Sequence, residues 1–171
     1  VDYTSSLDKV WPPPNLKPMK IRPTIAESVE RISRQFQNAG LHYGHGTATA
    51  RDEAAWLVLH VLGAPLDGGF DDWAHRPGPG QQAEIERLAA LRCETRQPLA
   101  YLLGEAWFAG LAFEVSPDVL VPRSPIAELV LDGFRPFALP NEGVRVLDLC
   151  TGSGCIGIAT ATYRPDCRVD L

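Results

Sequence analysis

The sequence predicts a mixed α/β chain whose first half is a small helical domain. Three observations support this fold class. Capped segments with apolar residues at helical spacing run through residues 24–98. Two short segments rich in aromatic and β-branched residues then flank Ala109-Gly110, as in a β-hairpin. Finally, the stretch VRVLDLCTGSGCIGIATA, residues 144–161, has the pattern of a strand, a glycine-rich turn and a helix.

The first predicted helix begins at a capping box formed by Thr24 and Glu27, in which each side chain can bond the other residue's backbone N–H. Apolar residues then recur at spacings of four, three and four and share one helical face: Ile25, Val29, Ile32 and Phe36. Gly40 supplies the stop. Upstream, prolines recur between residues 12 and 23, which disfavours a helix and predicts an extended arm over residues 1–23.

Two further helices complete the predicted domain. The second spans Ala50–Leu62 and is closed by a glycine. The third lies within residues 81–98 and ends at a proline. Its inward-facing residues are expected to be Ile85, Leu88 and Leu91. We therefore expect one helical domain over residues 24–100.

The rest of the chain predicts a connector and the beginning of a second domain. In the connector, residues 101–123, Gly104–Phe108 is expected to pair with Leu111–Val115 as a hairpin. In residues 124–171, Ser124 is expected to cap a helix whose first residue is Pro125. The segment VRVLDL is expected to be a buried strand because of its Val and Leu content, a helix begins at Cys155, and CRVDL starts another strand.

Composition excludes several classes of protein. The net charge is −5 and no cluster of Lys and Arg appears, so we expect no direct contact with nucleic acid. The four cysteines form no CxxC pair and lack metal-ligand spacing, which predicts a reducing compartment and no metal site. No apolar run approaches the roughly 18 residues of a membrane span. We therefore expect a cytoplasmic protein without membrane contact.

The glycine-rich turn is a candidate cofactor site. Residues 152–157, GSGCIG, match the dinucleotide pattern G-x-G-x-x-G, in which free backbone N–H groups meet the positive end of a helix. Asp148, four residues ahead of Gly152, would repel a pyrophosphate but can accept hydrogen bonds from an ammonium or hydroxyl group. This favours S-adenosyl-L-methionine, which has no phosphate, over NAD. The absence of GxxxxGK[ST] excludes a P-loop.

Two sets of residues resemble a known family. Asp148, Cys150, Gly152 and Gly154 form D-x-C-x-G-x-G, which resembles the first motif of class I S-adenosylmethionine-dependent methyltransferases, where a glycine usually occupies the position of Cys150. The segment PLAYLLGEAWFAGLAFEVSPDVLVPRSPIAEL is similar to the connector of the protein-(glutamine-N5) methyltransferases. The resemblance runs from about residue 24 to the last residue.

Details of the sequence distinguish two branches of that family. Release-factor enzymes carry Arg-Pro-(Asp/Glu)-Thr-Glu after the connector, whereas Ser-Pro-Ile-Ala follows Arg123 in this chain. VPRSPIAEL, YGHGT and LCTGSGC together resemble the branch that acts on the third protein of the large ribosomal subunit. The resemblance implies methyl transfer to a glutamine side-chain amide of that ribosomal protein. The alternatives are a release-factor glutamine or, in another class, a protein-binding module formed by residues 24–115.

The resemblance also implies an architecture and a site. The family has a helical substrate-binding domain, a hairpin connector and a Rossmann-like catalytic domain, of which residues 124–171 would be the start. The expected cofactor-binding residues are Phe108, Asp148, Cys150, Thr151, Gly152, Ser153 and Gly154. Phe108 would border the cofactor, although an aromatic residue in a hairpin equally suits core packing. Arg123 is the substrate-side candidate, with an ordinary exposed arginine as the alternative.

The same family implies residues beyond Leu171. Its Asn-Pro-Pro-Tyr motif, which holds the glutamine amide, and the acidic residue that binds the cofactor ribose are both expected after this point. Asp170 is expected to be an ordinary strand residue. We therefore expect no catalytic residue within this chain, and no methyl transfer by these 171 residues alone.

Overall fold

The computed structural model describes residues 22–44, 46–66, 68–135, 137 and 143–171. Nearly all of the predicted arm, residues 1–23, lies outside this part of the chain. The elements follow in the order α1 Ile25–Asn38, α2 Ala50–Leu62, α3 Pro79–Thr95, α4 Leu99–Leu103, β1 Glu105–Phe108, β2 Leu111–Glu114, α5 Ile126–Leu131, β3 Arg145–Leu147, α6 Cys155–Tyr163 and β4 Arg168–Asp170. The predicted mixed α/β class is confirmed. No described helix is both long and apolar enough to cross a membrane.

Helices α1–α4 pack around one core, named here the helical bundle. The predicted capping box is confirmed: the Thr24 hydroxyl accepts from Glu27 N at 3.1 Å, and Glu27 Oε2 accepts from Thr24 N at 2.7 Å. The predicted apolar face of α1 is confirmed as well, because its four residues are each at most 4% exposed. Helix α2 has its predicted bounds and ends at Gly63, whose left-handed backbone closes the helix.

The third helix differs from its prediction at both ends. It begins at Pro79, which suits the first helical turn because proline has no N–H to leave unpaired. It ends at Thr95 rather than at Pro98, with Arg96 in the left-handed conformation. The guanidinium of Arg96 donates to the carbonyls of Ala39 and Gly40 at 3.0 and 2.6 Å, which ties the end of α3 to the end of α1.

Two features of the bundle were not predicted. The short helix α4, Leu99–Leu103, lies where the connector was expected to begin, and its first two residues are buried. Leu91, which was predicted to face inward, is only half-buried. The next residue, Arg92, is buried more deeply and is 2% exposed. An arginine enters a core only with charge and hydrogen-bond partners, and those lie far away in sequence.

A buried ion pair supplies these partners. Arg92 Nε lies 3.0 Å from Glu53 Oε1, and both side chains are at most 5% exposed. Arg92 Nη2 also donates to the carbonyl of His42 at 3.1 Å. One guanidinium therefore joins α3, α2 and the loop that leads from α1 to α2.

The hairpin matches its prediction to within one residue at each end. Strands β1 and β2 pair antiparallel, with Phe108 opposite Leu111. The two turn residues, Ala109 and Gly110, both have positive φ, as a tight two-residue hairpin turn requires. Val115 N donates to the Gly104 carbonyl at 3.0 Å and extends the pairing beyond the strands.

Helix α5 begins one residue later than predicted. Its first residue is Ile126, and Pro125 occupies the cap position with a helical backbone. The Ser124 hydroxyl nevertheless accepts from Ile126 N at 3.2 Å, so it has the capping role expected of it.

Strands β3 and β4 run parallel, with Val146 opposite Val169, and α6 connects them. These three elements are named here the β–α–β unit. The prediction that VRVLDL is a buried strand was wrong: none of its six residues is buried, and Leu147 and Leu149 are 67% and 78% exposed. Parallel strands are normally covered on both faces, whereas in the described part of the chain only α6 packs on this sheet.

A second apolar cluster joins the hairpin to the β–α–β unit. Its buried members are Phe108, Ala109, Val130, Cys155 and Ala159, which come from the hairpin, α5 and α6. The hydroxyl of Tyr163, the last residue of α6, donates to the Ala109 carbonyl at 2.6 Å. The hairpin thus contacts the helical bundle at its base and α6 at its tip.

We expect the buried ion pair to be essential to the stability of the bundle. Replacing Arg92 by Ala leaves the Glu53 carboxylate buried without its partner, which lowers the free energy of unfolding by about 3–5 kcal/mol. Urea denaturation followed by circular dichroism measures this loss. The exposed Arg87–Glu84 pair on the same helix is the matched control, because Arg87→Ala leaves no buried charge. Equal stability of the two variants would show that the buried pair is dispensable.

Candidate functional site

The glycine-rich turn between β3 and α6 is the candidate cofactor site. Asp148 N donates to the Asp170 carbonyl at 3.0 Å, which continues the strand pairing up to the turn. The chain then turns through Cys150, Gly152 and Gly154, all with positive φ, and Gly154 N donates to the Thr151 carbonyl at 2.9 Å. The predicted strand–turn–helix arrangement is thereby confirmed.

Asp148 connects the end of β3 to the first turn of α6. Its Oδ2 accepts from Gly157 N at 3.0 Å. Gly157 is the third residue of α6, so its N–H belongs to the first turn and has no acceptor within the helix. Oδ1 has no hydrogen-bond partner among the described residues, and the side chain is only half-buried. One carboxylate oxygen therefore holds the turn in place, and the other is available to a ligand.

Gly157 explains how closely α6 approaches the strands. A Cβ at this position would lie 3.3 Å from Asp148 Oδ2 and 3.3 Å from Val169 Cγ1, closer than nearly all real contacts. The same Cβ would overlap Leu171 Cδ2, so a glycine lets this helix lie against β4 without displacing its neighbours while its N–H reaches Asp148. This residue, the last glycine of the G-x-G-x-x-G pattern, was not among the predicted site residues. Its place in that pattern was the signal that could have found it.

Cys150 adopts a backbone conformation that suits glycine. Its φ is +60°, in the left-handed region where an L side chain crowds the following carbonyl. A glycine, which usually stands at the corresponding position of the motif that this turn resembles, would adopt this conformation without strain. The Cys150 side chain is exposed, and the adjacent Leu149 is exposed as well.

The structure brings most of the predicted cofactor residues together. Thr151 and Ser153 are half-buried, Gly152 is exposed and Gly154 is buried, all within the six residues that follow Asp148. Hydroxyl groups, free N–H groups at the start of α6 and one free carboxylate oxygen thus occur in a single turn. This donor set fits a cofactor that carries an ammonium group and hydroxyl groups.

Two predicted residues lie elsewhere. Phe108 is 4% exposed and belongs to the buried cluster that also contains Cys155, the first residue of α6. This position agrees with core packing, the alternative weighed for Phe108. Arg123 is exposed, and its Nη1 donates to the Gly44 carbonyl at 3.4 Å. It therefore joins the connector to the YGHGT segment, although His45 of that segment lies outside the described residues.

The charged groups of β4 are occupied by ion pairs. Asp170 Oδ2 lies 2.9 Å from Arg145 Nη2, and its Oδ1 lies 3.6 Å from Arg168 Nε. The hydrogen bond from Arg145 is the main reason that the pKa of Asp170 lies below its ordinary value. These contacts agree with the expectation that Asp170 is an ordinary strand residue. No group of three or more His, Cys, Asp or Glu residues that could hold a metal ion occurs in the described segments.

The backbone of Cys150 gives a prediction for stability. Replacing Cys150 by Gly removes the left-handed strain, and after the entropy cost of a glycine the free energy of unfolding should rise by up to about 1 kcal/mol. Cys150→Val places a β-branched residue at the same φ and should lower it by about 1 kcal/mol or more. Urea denaturation of both variants measures the difference. A Val variant as stable as the Gly variant would mean that the turn does not have this conformation in solution.

Comparison with known proteins reveals close relatives. No protein-family model matches the chain. It is 49% identical over 154 residues to the ribosomal protein uL3 glutamine methyltransferase of Xanthomonas campestris pv. campestris. The enzymes of that name from Xylella fastidiosa (strain Temecula1) and Neisseria meningitidis serogroup A are 46% and 40% identical over 154 and 148 residues.

Each match covers 86% of this chain and between 47% and 49% of the relative. The chain thus spans about half the length of the curated relatives it matches. The identities are high, and the motifs around Asp148 and Arg123 had already pointed to the same family. Over the part of its length that these relatives match, the chain is similar to ribosomal protein uL3 glutamine methyltransferases.

Proposed function

We propose that the protein carrying this chain transfers a methyl group from S-adenosyl-L-methionine to the side-chain amide of a glutamine in ribosomal protein uL3. The observation that carries this proposal is the 40–49% identity, over most of the chain, to enzymes named for that activity. The cytoplasm follows as the location, because that is where ribosomal proteins are made and assembled.

The proposed cofactor is supported by the geometry of the glycine-rich turn. When bound, S-adenosylmethionine supplies an activated methyl group. The free Oδ1 of Asp148 would accept a hydrogen bond from its ammonium or hydroxyl groups, while Oδ2 stays with Gly157 N. The turn residues, Cys150–Gly154, would approach the cofactor through their backbone, and Thr151 and Ser153 add hydroxyl groups.

Within this proposal, each part of the chain has a separate task. Residues 24–100 bind the substrate, and residues 124–171 begin a Rossmann-like catalytic domain. Residues 101–123 connect these two parts. The glycine-rich turn, Asp148–Gly154, is called here the cofactor turn. Phe108 supports it from the buried cluster that also contains Cys155 of α6. An amide nitrogen is a poor nucleophile because its lone pair is delocalised, so catalysis depends on orienting the amide. The Asn-Pro-Pro-Tyr motif proposed for this step belongs after Leu171.

A release factor is the second candidate substrate, and the sequence after Arg123 argues against it. The residues Ser124, Pro125, Ile126 and Ala127 replace the release-factor pattern, and they lead into α5, which begins at Ile126. The helical bundle has its own buried core, so a protein-binding module without catalysis is the alternative from another class. Methyl transfer separates these three functions.

The first test concerns the cofactor. In calorimetry, the full-length protein that carries this sequence should bind S-adenosylhomocysteine and not NAD. Asp148→Asn keeps an oxygen for Gly157 N but loses a charge-assisted bond, so the dissociation constant should rise about tenfold to a hundredfold. Asp166→Asn, in the half-buried pair with Arg164 beyond the far end of α6, is the control and should bind normally. Binding of NAD alone would contradict the proposed cofactor.

The second test concerns the substrate. Purified uL3 and a purified release factor are each incubated with the full-length protein and methyl-labelled S-adenosylmethionine. We expect label on a glutamine of uL3 and little on the release factor. Preferential labelling of the release factor would reverse the order of the two substrates, and labelling of neither protein would favour the binding module.

A further inference from the structure

A groove runs between the helical bundle and the hairpin. It consists of two adjoining cavities of about 470 and 450 Å³, which share Leu66, Trp107 and Gly110. This volume lies within the range of binding sites in general. One wall includes Gly46 and Thr47. Both belong to the YGHGT segment, which is not part of the glycine-rich turn. We name this groove the Trp107 groove.

The floor of the Trp107 groove is apolar and its edges are acidic. The floor contains Trp56, Leu59 and Leu66, and the more exposed Trp107, Asp52 and Glu105 lie at its edges. Among the described residues that line it, none is Lys or Arg, and His60 is paired with Glu105 at 3.7 Å. Arg51, beside Asp52 in the sequence, is engaged by Glu30 at 3.0 Å. Such a groove attracts a positively charged partner.

Trp107 is held in position for a contact. Its side chain is 42% exposed, so much of the ring faces solvent. Its indole Nε1 donates to Glu105 Oε1 at 2.8 Å, which restricts the ring before any partner arrives. An exposed and oriented tryptophan over an apolar floor is a typical anchor in a protein–protein interface.

The groove ends at the hairpin turn, beside the last residue of α6. Gly110, shared by both cavities, follows Ala109, whose carbonyl accepts from Tyr163 of α6. A Cβ on Gly110 would lie 3.4 Å from the same hydroxyl. On its other side the groove is bounded by α2 and by the loop before α2. Arg123 donates to the Gly44 carbonyl of this loop, and Arg92 donates to its His42 carbonyl.

We propose that the Trp107 groove binds an extended, positively charged segment of the uL3 substrate. This inference rests on the proposed function. Ribosomal proteins bind the phosphates of RNA through Lys and Arg, so the substrate offers the charge that Asp52 and Glu105 complement. Apolar side chains of the same segment bury against Trp107 and Leu59.

Binding of purified uL3 to the full-length protein tests the groove by calorimetry. Trp107→Ala should raise the dissociation constant for uL3 about tenfold or more, because it removes the anchor. The control is Leu131→Ala, an exposed apolar residue of α5 (56%) that lines neither cavity and should bind normally. In the methylation assay, Trp107→Ala should raise KM for uL3 with kcat and S-adenosylhomocysteine binding unchanged.

A charge variant at Asp52 tests the acidic edge of the groove and leaves Trp107 unchanged. Asp52→Lys should weaken uL3 binding more strongly at low salt than at high salt, whereas Glu94→Gln, exposed at the end of α3, should not. Equal uL3 affinity of Trp107→Ala, Asp52→Lys and wild type would overturn the groove and leave the proposed function intact. Failure of the wild-type protein to methylate uL3 would instead overturn the proposed function. Trp107-dependent binding of a release factor in place of uL3 would overturn the choice of occupant.

Discussion

The hydrogen bond from Gly157 N to Asp148 is the interaction on which the candidate site depends. It joins the carboxyl end of a strand to the first turn of the helix that follows, and so closes the turn between them. Gly157 permits it because any side chain there would meet Asp148 and Val169. The chain can then pass through Cys150 with a left-handed backbone while the second carboxylate oxygen stays available. One oxygen of this carboxylate thus serves helix packing, and the other is the one that the proposed cofactor would use.

The helical bundle is connected to this turn through the hairpin. A buried arginine, Arg92, joins two helices of the bundle and the loop before α2, and Arg123 reaches the same loop from the connector. At the hairpin tip, Ala109 accepts a hydrogen bond from Tyr163 of α6. These contacts place the surface of the bundle beside the helix of the cofactor turn.

Features set by neighbouring residues could be predicted from the sequence. The capping box at Thr24, the turn at Ala109 and the glycine-rich turn depend on local backbone chemistry, and all three are confirmed. Features set by distant residues could not. The burial of Arg92 depends on a partner 39 positions away, and the exposure of Leu147 depends on which elements cover the sheet. The groove around Trp107 likewise forms only when α2 and the hairpin meet.

The central claim is that this protein methylates a glutamine of uL3 through the turn at Asp148. It is tested most directly by mass spectrometry of uL3 from cells of the source organism. Deletion of the gene should leave uL3 one methyl group lighter, on a single glutamine. The wild-type gene should restore the methyl group, and the Asp148→Asn gene should restore it incompletely. An unchanged uL3 in the deletion strain, together with loss of the methyl group from a release factor, would contradict the account.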